Sequence, residues 1–383
     1  MALNGIPLRD TRHLVEVARS LGTTARVVFE FRRGQQRLER EATAPPLPVE
    51  PLRGSIELGF VAARGHRLRT ITAIPESSGP HPAVLYLQGV RADSCETPLD
   101  EASPTARLVA GWTAAGFVVH RLERSGVGDS EGPAPDRTDL GAELDGYDAA
   151  LEGLFVRSDV DPARVFLYGH SFGGMIAPLL AVERPLAGVI VFGTSAERWL
   201  DCVVATTARR PRFEGEGAEP SARRLALWVE LHEVVCRQGW TPDLAFERRP
   251  HLRVLRSRDC IGETLYGRHV ALFQQLDGID LKAAWRAVGG ARCPVLALHG
   301  EHDWICSAQD ARQIAECAGP HAAHLELARI GHDLLVDAGT GPGSTEPGAD
   351  RWDGSVVDAT VGWMRAVSAQ TFTPSQLPGK THP

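Results

Sequence analysis

Gly169-His170-Ser171-Phe172-Gly173-Gly174 lies between two apolar runs, Val165-Phe166-Leu167-Tyr168 before it and Met175-Ile176-Ala177 after it. A serine flanked by small residues at a strand-to-helix junction is forced into a sharp, strained turn, which glycines permit because they carry no Cβ. Its hydroxyl then stands proud of the sheet at a helix N-terminus, as a nucleophile must. A free hydroxyl attacks poorly at neutral pH and needs a base. In a strand-turn-helix setting the partners follow the serine in the order acid, then histidine.

Two downstream segments supply them. Pro294-Val295-Leu296-Ala297-Leu298 reads as a buried strand, and the loop His299-Gly300-Glu301-His302-Asp303 after it presents Asp303. Leu325–Ala328 reads as another strand, with His332 just past it in a turn loosened by Gly331. Both side chains are expected at the carboxyl edge of the sheet, beside the serine, where open parallel sheets bind ligands. His332 would take the Ser171 proton, and Asp303 would fix its tautomer and stabilise the imidazolium. Glu301 and Glu197 are the competing acids. His299 and His302 lack a third ligand at metal-binding spacing, so no metal is expected. His170 is expected to support the turn by packing or hydrogen bonding.

The elements needed to position these residues can be read from the pattern. Ile56–Val61 and Leu68–Ala73 straddle Gly65 and suit a hairpin. Strand-length apolar runs follow at Ala83–Leu87, Phe117–Leu122, Val165–Tyr168, Val189–Phe192, Val295–Leu298 and His324–Leu327. Helical patterns lie between them at Thr105–Ala115, Asp139–Val156 and Ser307–Ala318, and Pro178 should kink or shorten the helix after Ser171. Short buried strands alternating with helices imply βαβ units and a mostly parallel central sheet flanked by helices, an α/β fold. Roughly 100 residues, 195–291, separate the sixth strand from the next, too many for a simple crossover. They include helical patterns at Ala222–Cys236 and Leu265–Leu276, and read as a helical cap whose aromatics mostly pack against one another.

Composition narrows the class. The 383 residues are 43% hydrophobic and 23% charged, an ordinary globular balance with ample core. The net charge of −7 disfavours nucleic acid as a partner. The basic cluster Arg209-Arg210-Pro211-Arg212 reads as a solvated face, with a clamp for an anionic substrate as the alternative. No apolar run approaches the ~18 residues of a membrane span, and the first 22 residues lack a signal-peptide core, so a cytoplasmic protein is expected. Seven dispersed cysteines are then expected to remain thiols.

Residues 52–368 resemble the α/β-hydrolase superfamily, on Gly169–Gly173, the Gly300–Asp303 loop, Gly331-His332 and the Gly-rich turn Arg124–Gly132 after the fourth strand. The resemblance implies an α/β-hydrolase fold with a lid inserted after the sixth strand. It also implies an oxyanion hole formed by the backbone N–H of Phe172 and an N–H in Leu87–Arg91. Relatives have His-Gly-x where this chain has Gln88-Gly89-Val90, which makes Val90 the expected second donor and Gly89 the alternative. Residues 1–42 form their own unit, with a helix capped at Asp10 or Thr11 and a strand through Val27, Phe29 and Phe31. This order is similar to the second half of a PDZ domain, without that family's carboxylate-binding loop, which would precede Met1. Such a unit would offer a route to oligomerisation. A proline-rich linker (43–51) leads into the catalytic core (52–194 and 292–370), which the cap (195–291) interrupts and a frayed tail (371–383) follows.

The expected activity is hydrolysis of a small-molecule carboxylic ester, thioester or amide through an acyl-enzyme on Ser171, without a cofactor. The alternatives are acyl transfer or cyclisation with the same residues, or a binding protein on a hydrolase frame.

Overall fold

The computed structural model describes residues 1–9, 17, 26–43, 49–96, 102–182, 184–209, 219–336 and 351–369. The expected helix start at Asp10 or Thr11, most of the proline-rich linker, Arg210 to Arg212 and the tail lie outside the described residues. The chain divides into two compact units, Met1–Glu50 and Pro51–Pro383. In the first, β1 (Ala2–Leu3), β2 (Ile6–Pro7), β3 (Arg26–Arg33) and β4 (Gln36–Thr43) form an antiparallel sheet in the order β2-β1-β3-β4. Leu3, Val17 and Val27 make its small core.

The second unit is built on an eight-stranded sheet. Its first strands are β5 (Ser55–Ala63), β6 (His66–Ile74) and β7 (His81–Leu87); helix α1 (Pro104–Ala114) then leads to β8 (Val118–Leu122). Helix α2 (Leu140–Phe155), β9 (Val160–His170), α3 (Phe172–Ala181) and β10 (Gly188–Phe192) follow. The hairpin β5–β6 joins β8 antiparallel, and every pairing from β8 onward is parallel. Local chemistry sets the ends of the helices. Asp139 caps α2 by accepting from the Ala142 amide at 2.9 Å, and α3 ends three residues beyond Pro178.

After β10 the chain leaves the sheet for α4 (Trp199–Arg209), α5 (Glu219–Gln238), α6 (Pro242–Arg248), a hairpin of β11 (Thr264–Leu265) and β12 (Arg268–His269), α7 (Val270–Asp277) and α8 (Leu281–Gly290). The helix expected from Leu265 to Leu276 therefore begins five residues late. Tyr266 and Gly267 both take positive φ, 54° and 71°, the pattern of a two-residue hairpin turn, which the helical spacing of the apolar residues concealed. The chain returns through β13 (Val295–Gly300), α9 (Ala308–Ala318), β14 (Ala322–Leu327) and α10 (Ser355–Ser368). The sheet order is β14-β13-β10-β9-β7-β8-β6-β5. This is the α/β-hydrolase arrangement, and the insertion follows the sixth strand of the sheet.

Strand periodicity of two places alternate residues on opposite faces, and the core divides accordingly. Val165 and Leu167 of β9 join the apolar residues of α2, α3, α8 and α9. Phe166 and Tyr168 join those of α1 and α10, where the Trp112 indole donates to Thr360 Oγ1 at 2.7 Å. All seven cysteines are thiols. Among the described residues, no helix is long and apolar enough to cross a membrane.

Within the insertion, Trp199, Trp228, His232, Tyr266 and Phe273 pack as one aromatic cluster, with Trp228 stacked on Tyr266 at 5.7 Å. His232 is fully buried, and burial lowers its pKa to about 4; burial likewise lowers that of His120, beside Arg157 and Arg121, to about 3. Both rings are neutral in the folded protein, whereas the unfolded chain protonates them below about 6.5. The unfolded state then binds more protons, so stability falls as pH drops from 6.5 toward 4. At pH 5 each ring should remove on the order of 2 kcal/mol relative to pH 7.5. Urea unfolding at the two pH values checks this, and His232→Phe should show a smaller acid loss than the parent.

Candidate active site

The parallel strands end in register. Gly169 and His170 of β9 lie beside Val191 and Phe192 of β10, and His299 and Gly300 of β13 lie beside Glu326 and Leu327 of β14. The loops after these strands therefore open on one edge, and that edge collects Ser171, Gly193, Asp303 and His332. Ser171 takes φ 54° and ψ −119° and is followed directly by α3. Its amide donates to the Phe192 carbonyl at 2.9 Å, which anchors the turn to the neighbouring strand. The chain can reverse this tightly because a Cβ on Gly173 would overlap the Leu87 carbonyl.

Three side chains form a continuous hydrogen-bonded line. His332 Nδ1 lies 2.9 Å from Asp303 Oδ2, and His332 Nε2 lies 3.0 Å from Ser171 Oγ. An ionised carboxylate only accepts, so Nδ1 carries the proton and Nε2 is left to accept from the serine. The other oxygen of Asp303 accepts from the Ile305 and Cys306 amides at 2.8 and 2.9 Å. Burial by itself would raise the Asp303 pKa, but the adjacent His332 and these hydrogen bonds hold it below the ordinary carboxylate value. Glu301, a competing acid, points elsewhere and accepts from the Arg329 amide. Glu197, the other, is held by Lys282 and Gln313.

His170 packs 5.2 Å from the His332 ring, and its Nε2 lies 2.9 Å from the His332 carbonyl. A carbonyl only accepts, so Nε2 carries the proton. Burial, with the nearby His332 adding to it, lowers the His170 pKa to about 4, which keeps this ring neutral. It holds the backbone of His332 rather than exchanging protons near neutral pH.

The segments that carry the expected oxyanion donors both adjoin the serine. Phe172 opens α3, where the first amides have no acceptor within the helix. The loop through Gln88, Gly89 and Val90 passes close by, since a Cβ added to Gly89 would sit 3.8 Å from the Ser171 Cβ.

Several residues at this edge escaped the sequence reading. Gly193 has φ 59°, and a Cβ there would lie 2.8 Å from Asp303 Oδ2 and 2.9 Å from His332 Nδ1. Its position directly after the sixth strand is the signal the sequence carries for it. Arg124, at the start of the Gly-rich turn, donates to the Gln88, Gly89 and Arg91 carbonyls. Asp303, Cys306 and His332 bring ligand-type atoms within 4.8 Å of one another, the sole such group among the described residues. The carboxylate and the imidazole among them are already committed to the hydrogen bonds above, and burial raises the Cys306 pKa well above the ordinary thiol value.

The sequence pattern described as "Serine aminopeptidase, S33" matches residues 99–339, more than half of the chain. The chain belongs to the serine aminopeptidase S33 family. Its members' fold recurs in solved structures. The Mycobacterium smegmatis proline iminopeptidase aligns with TM-score 0.52 and 18% identity over 82% of this chain and 100% of its own. Est1E of Butyrivibrio proteoclasticus gives 0.51 and 14% over 82% of this chain and 99% of its own.

Curated relatives match shorter stretches. An uncharacterized Mycobacterium tuberculosis protein is 35% identical over 115 residues, 30% of this chain and 37% of its own length. Esterase EstD of Thermotoga maritima is 27% identical over 124 residues, 32% of this chain and 29% of its own. This chain thus spans about a third of the length of the curated relatives it matches. Family membership places the chain among the α/β-hydrolases.

Gly193→Ala should separate Asp303 from His332, because the added methyl overlaps both and the positive φ strains any side chain. We expect a stability loss of about 2–3 kcal/mol in urea unfolding, from overpacking and backbone strain together. NMR should show the shared Asp303–His332 proton shifted or lost.

Proposed function

We propose that this S33-family enzyme hydrolyses a small-molecule carboxylic ester, thioester or amide through an acyl-enzyme on Ser171. The observation that carries this reading is the line Ser171–His332–Asp303, with separations of 3.0 and 2.9 Å, in which the acceptor-only carboxylate requires the histidine proton on Nδ1. His332 takes the hydroxyl proton as Ser171 attacks the carbonyl carbon. It returns that proton to the leaving alcohol, thiol or amine, and then activates water for the second half. Asp303 keeps the imidazole in place and stabilises its charged form. The Phe172 and Val90 amides receive the negative charge that develops on the substrate oxygen. The helices after the sixth strand serve as a cap that screens the acyl-enzyme.

Uncharged acyl groups rank above free amino-terminal residues. Recognising an ammonium group calls for an unpaired acid, and among the described residues three acids of the core and the insertion already have partners. Glu143 is held by Arg124 and Arg268, Glu197 by Lys282 and Gln313, and Asp277 by the Leu200 amide. For the N-terminal unit, the PDZ-like order of elements supports a role in self-association, which sedimentation of the full chain would measure.

A fluorophosphonate probe should label the protein at Ser171 and fail to label Ser171→Ala; an unlabelled parent would point to a binding protein instead. 4-Nitrophenyl acetate should give a burst, with kcat/KM rising from acid toward neutral pH, because a protonated imidazole cannot accept the hydroxyl proton. His170, whose pKa burial lowers to about 4, does not contribute to that rise. Asp303→Asn should lower kcat on the order of 10⁴-fold by allowing the wrong tautomer. A pH profile flat from 5 to 8 would remove His332 from the role of base.

A further inference from the structure

Behind the loop expected to supply the second oxyanion donor lies a buried charge cluster that no step of the mechanism uses. Arg124, at the start of the Gly-rich turn, donates to the carbonyls of Gln88 at 3.2 Å, Gly89 at 2.7 Å and Arg91. Its Nη1 also reaches Gln88 Oε1 at 3.2 Å. Arg268, on β12 of the insertion, donates to the Val90 carbonyl at 3.3 Å. Four successive carbonyls, 88 to 91, are therefore held by two guanidinium groups. Glu143, in the first turns of α2, joins the two: Oε1 accepts from Arg124 Nε at 2.5 Å and Oε2 from Arg268 Nη2 at 2.7 Å. The relative exposures of Arg124, Glu143 and Arg268 are 4%, 6% and 0%.

A trans peptide points its C=O and the next N–H in opposite directions. Fixing the Gly89 carbonyl on Arg124 thus aims the Val90 amide away from Arg124. Fixing the Val90 carbonyl on Arg268 sets the peptide plane on the other side of the same residue. The two planes flanking Val90 are held by different arginines, one from the core and one from the insertion. The loop needs such restraint because Gly89, beside Ser171, leaves its own torsions open. Two guanidinium groups and one carboxylate also leave a net positive charge behind the loop, of the sign that favours a developing oxyanion.

Resting on the assignment of Val90 as an oxyanion donor, we propose that Arg268 is a positioning residue for catalysis. Bridged to Arg124 through Glu143, it makes the placement of the insertion hairpin a condition for an aligned oxyanion loop. An insertion that closed the site without seating Arg268 would leave the second donor loose.

The test compares the parent with Arg268→Met on 4-nitrophenyl acetate, together with inhibition by a methyl trifluoromethyl ketone, whose adduct carries the oxyanion. Misaligning one donor should lower kcat by ~30- to 100-fold and weaken the ketone by a similar factor, with KM changed less than about threefold. A higher KM with kcat and ketone affinity held within about threefold would make Arg268 a substrate-binding or packing residue and overturn the proposal. If Arg268→Met does not fold, Arg268→Lys decides. A single ammonium cannot span the Val90 carbonyl and Glu143 as the planar fork does, so kcat should fall ~10-fold or more. A Lys variant with the parent's kcat would overturn the proposal. An inactive, unlabelled parent would overturn the hydrolase reading and this proposal with it, whereas an active parent with an unaffected Arg268→Met overturns the proposal alone.

Discussion

A carboxylate taken out of water stays ionised only where other groups hold its charge, and the arrangement at the sheet edge turns on how Asp303 meets that condition. One oxygen is occupied by the Ile305 and Cys306 amides, so the carboxylate cannot rotate. The other faces His332 and accepts its Nδ1–H. Because the acid is buried and fixed, the histidine has one tautomer and one orientation, and Nε2 must face Ser171. Remove any of these restraints and the imidazole regains a choice, while the serine loses its base.

Steric constraint does for the backbone what the carboxylate does for the side chains. Ser171 is held at a positive φ that most residues avoid, and such strain persists only where the surroundings over-determine it. Its amide is tied to β10, α3 begins at the next residue, and the glycines around it sit against backbone and side-chain atoms that leave no room for a methyl group. Gly193 extends this constraint to the acid and the base, since the Asp303–His332 pair rests where its side chain would be. The site is assembled from strand ends of a sheet buried on both faces, and the rigidity of that sheet carries over to the loops.

Much of this was legible in the chain. The alternation of short apolar runs with helical patterns predicted the sheet, and the small residues around Ser171 predicted the turn. The order of Ser171, Asp303 and His332 matched the order of strands that bring them together. What failed had physical causes. The period of apolar residues in Leu265–Leu276 suits a helix, but two positive-φ residues inside it make a turn that periodicity cannot register. Arg124 reads as the start of a Gly-rich turn because nothing local reveals that its partners are carbonyls some 35 positions earlier. Glu143 did carry a signal. It stands among Leu140, Tyr147, Leu151 and Leu154 on the buried side of α2, and an acid there must be paired. Arg268 carried none, since its partners are more than a hundred residues away.

The paired arginines and their shared glutamate also bear on why a core holds charge at all. Burying ions forfeits hydration, and a well-packed apolar set of similar volume is often equally stable or more so. Stability alone is therefore a weak reason for Arg124, Glu143 and Arg268 to lie where they do. Apolar side chains attract without direction and would let the 88–91 loop slide across them. Guanidinium groups fix hydrogen-bond angles as well as distances, and four carbonyls bound in sequence leave little freedom for the amides between them. The same geometry draws together α2, the Gly-rich turn and the insertion hairpin. Direction, rather than strength, is what the buried charges contribute.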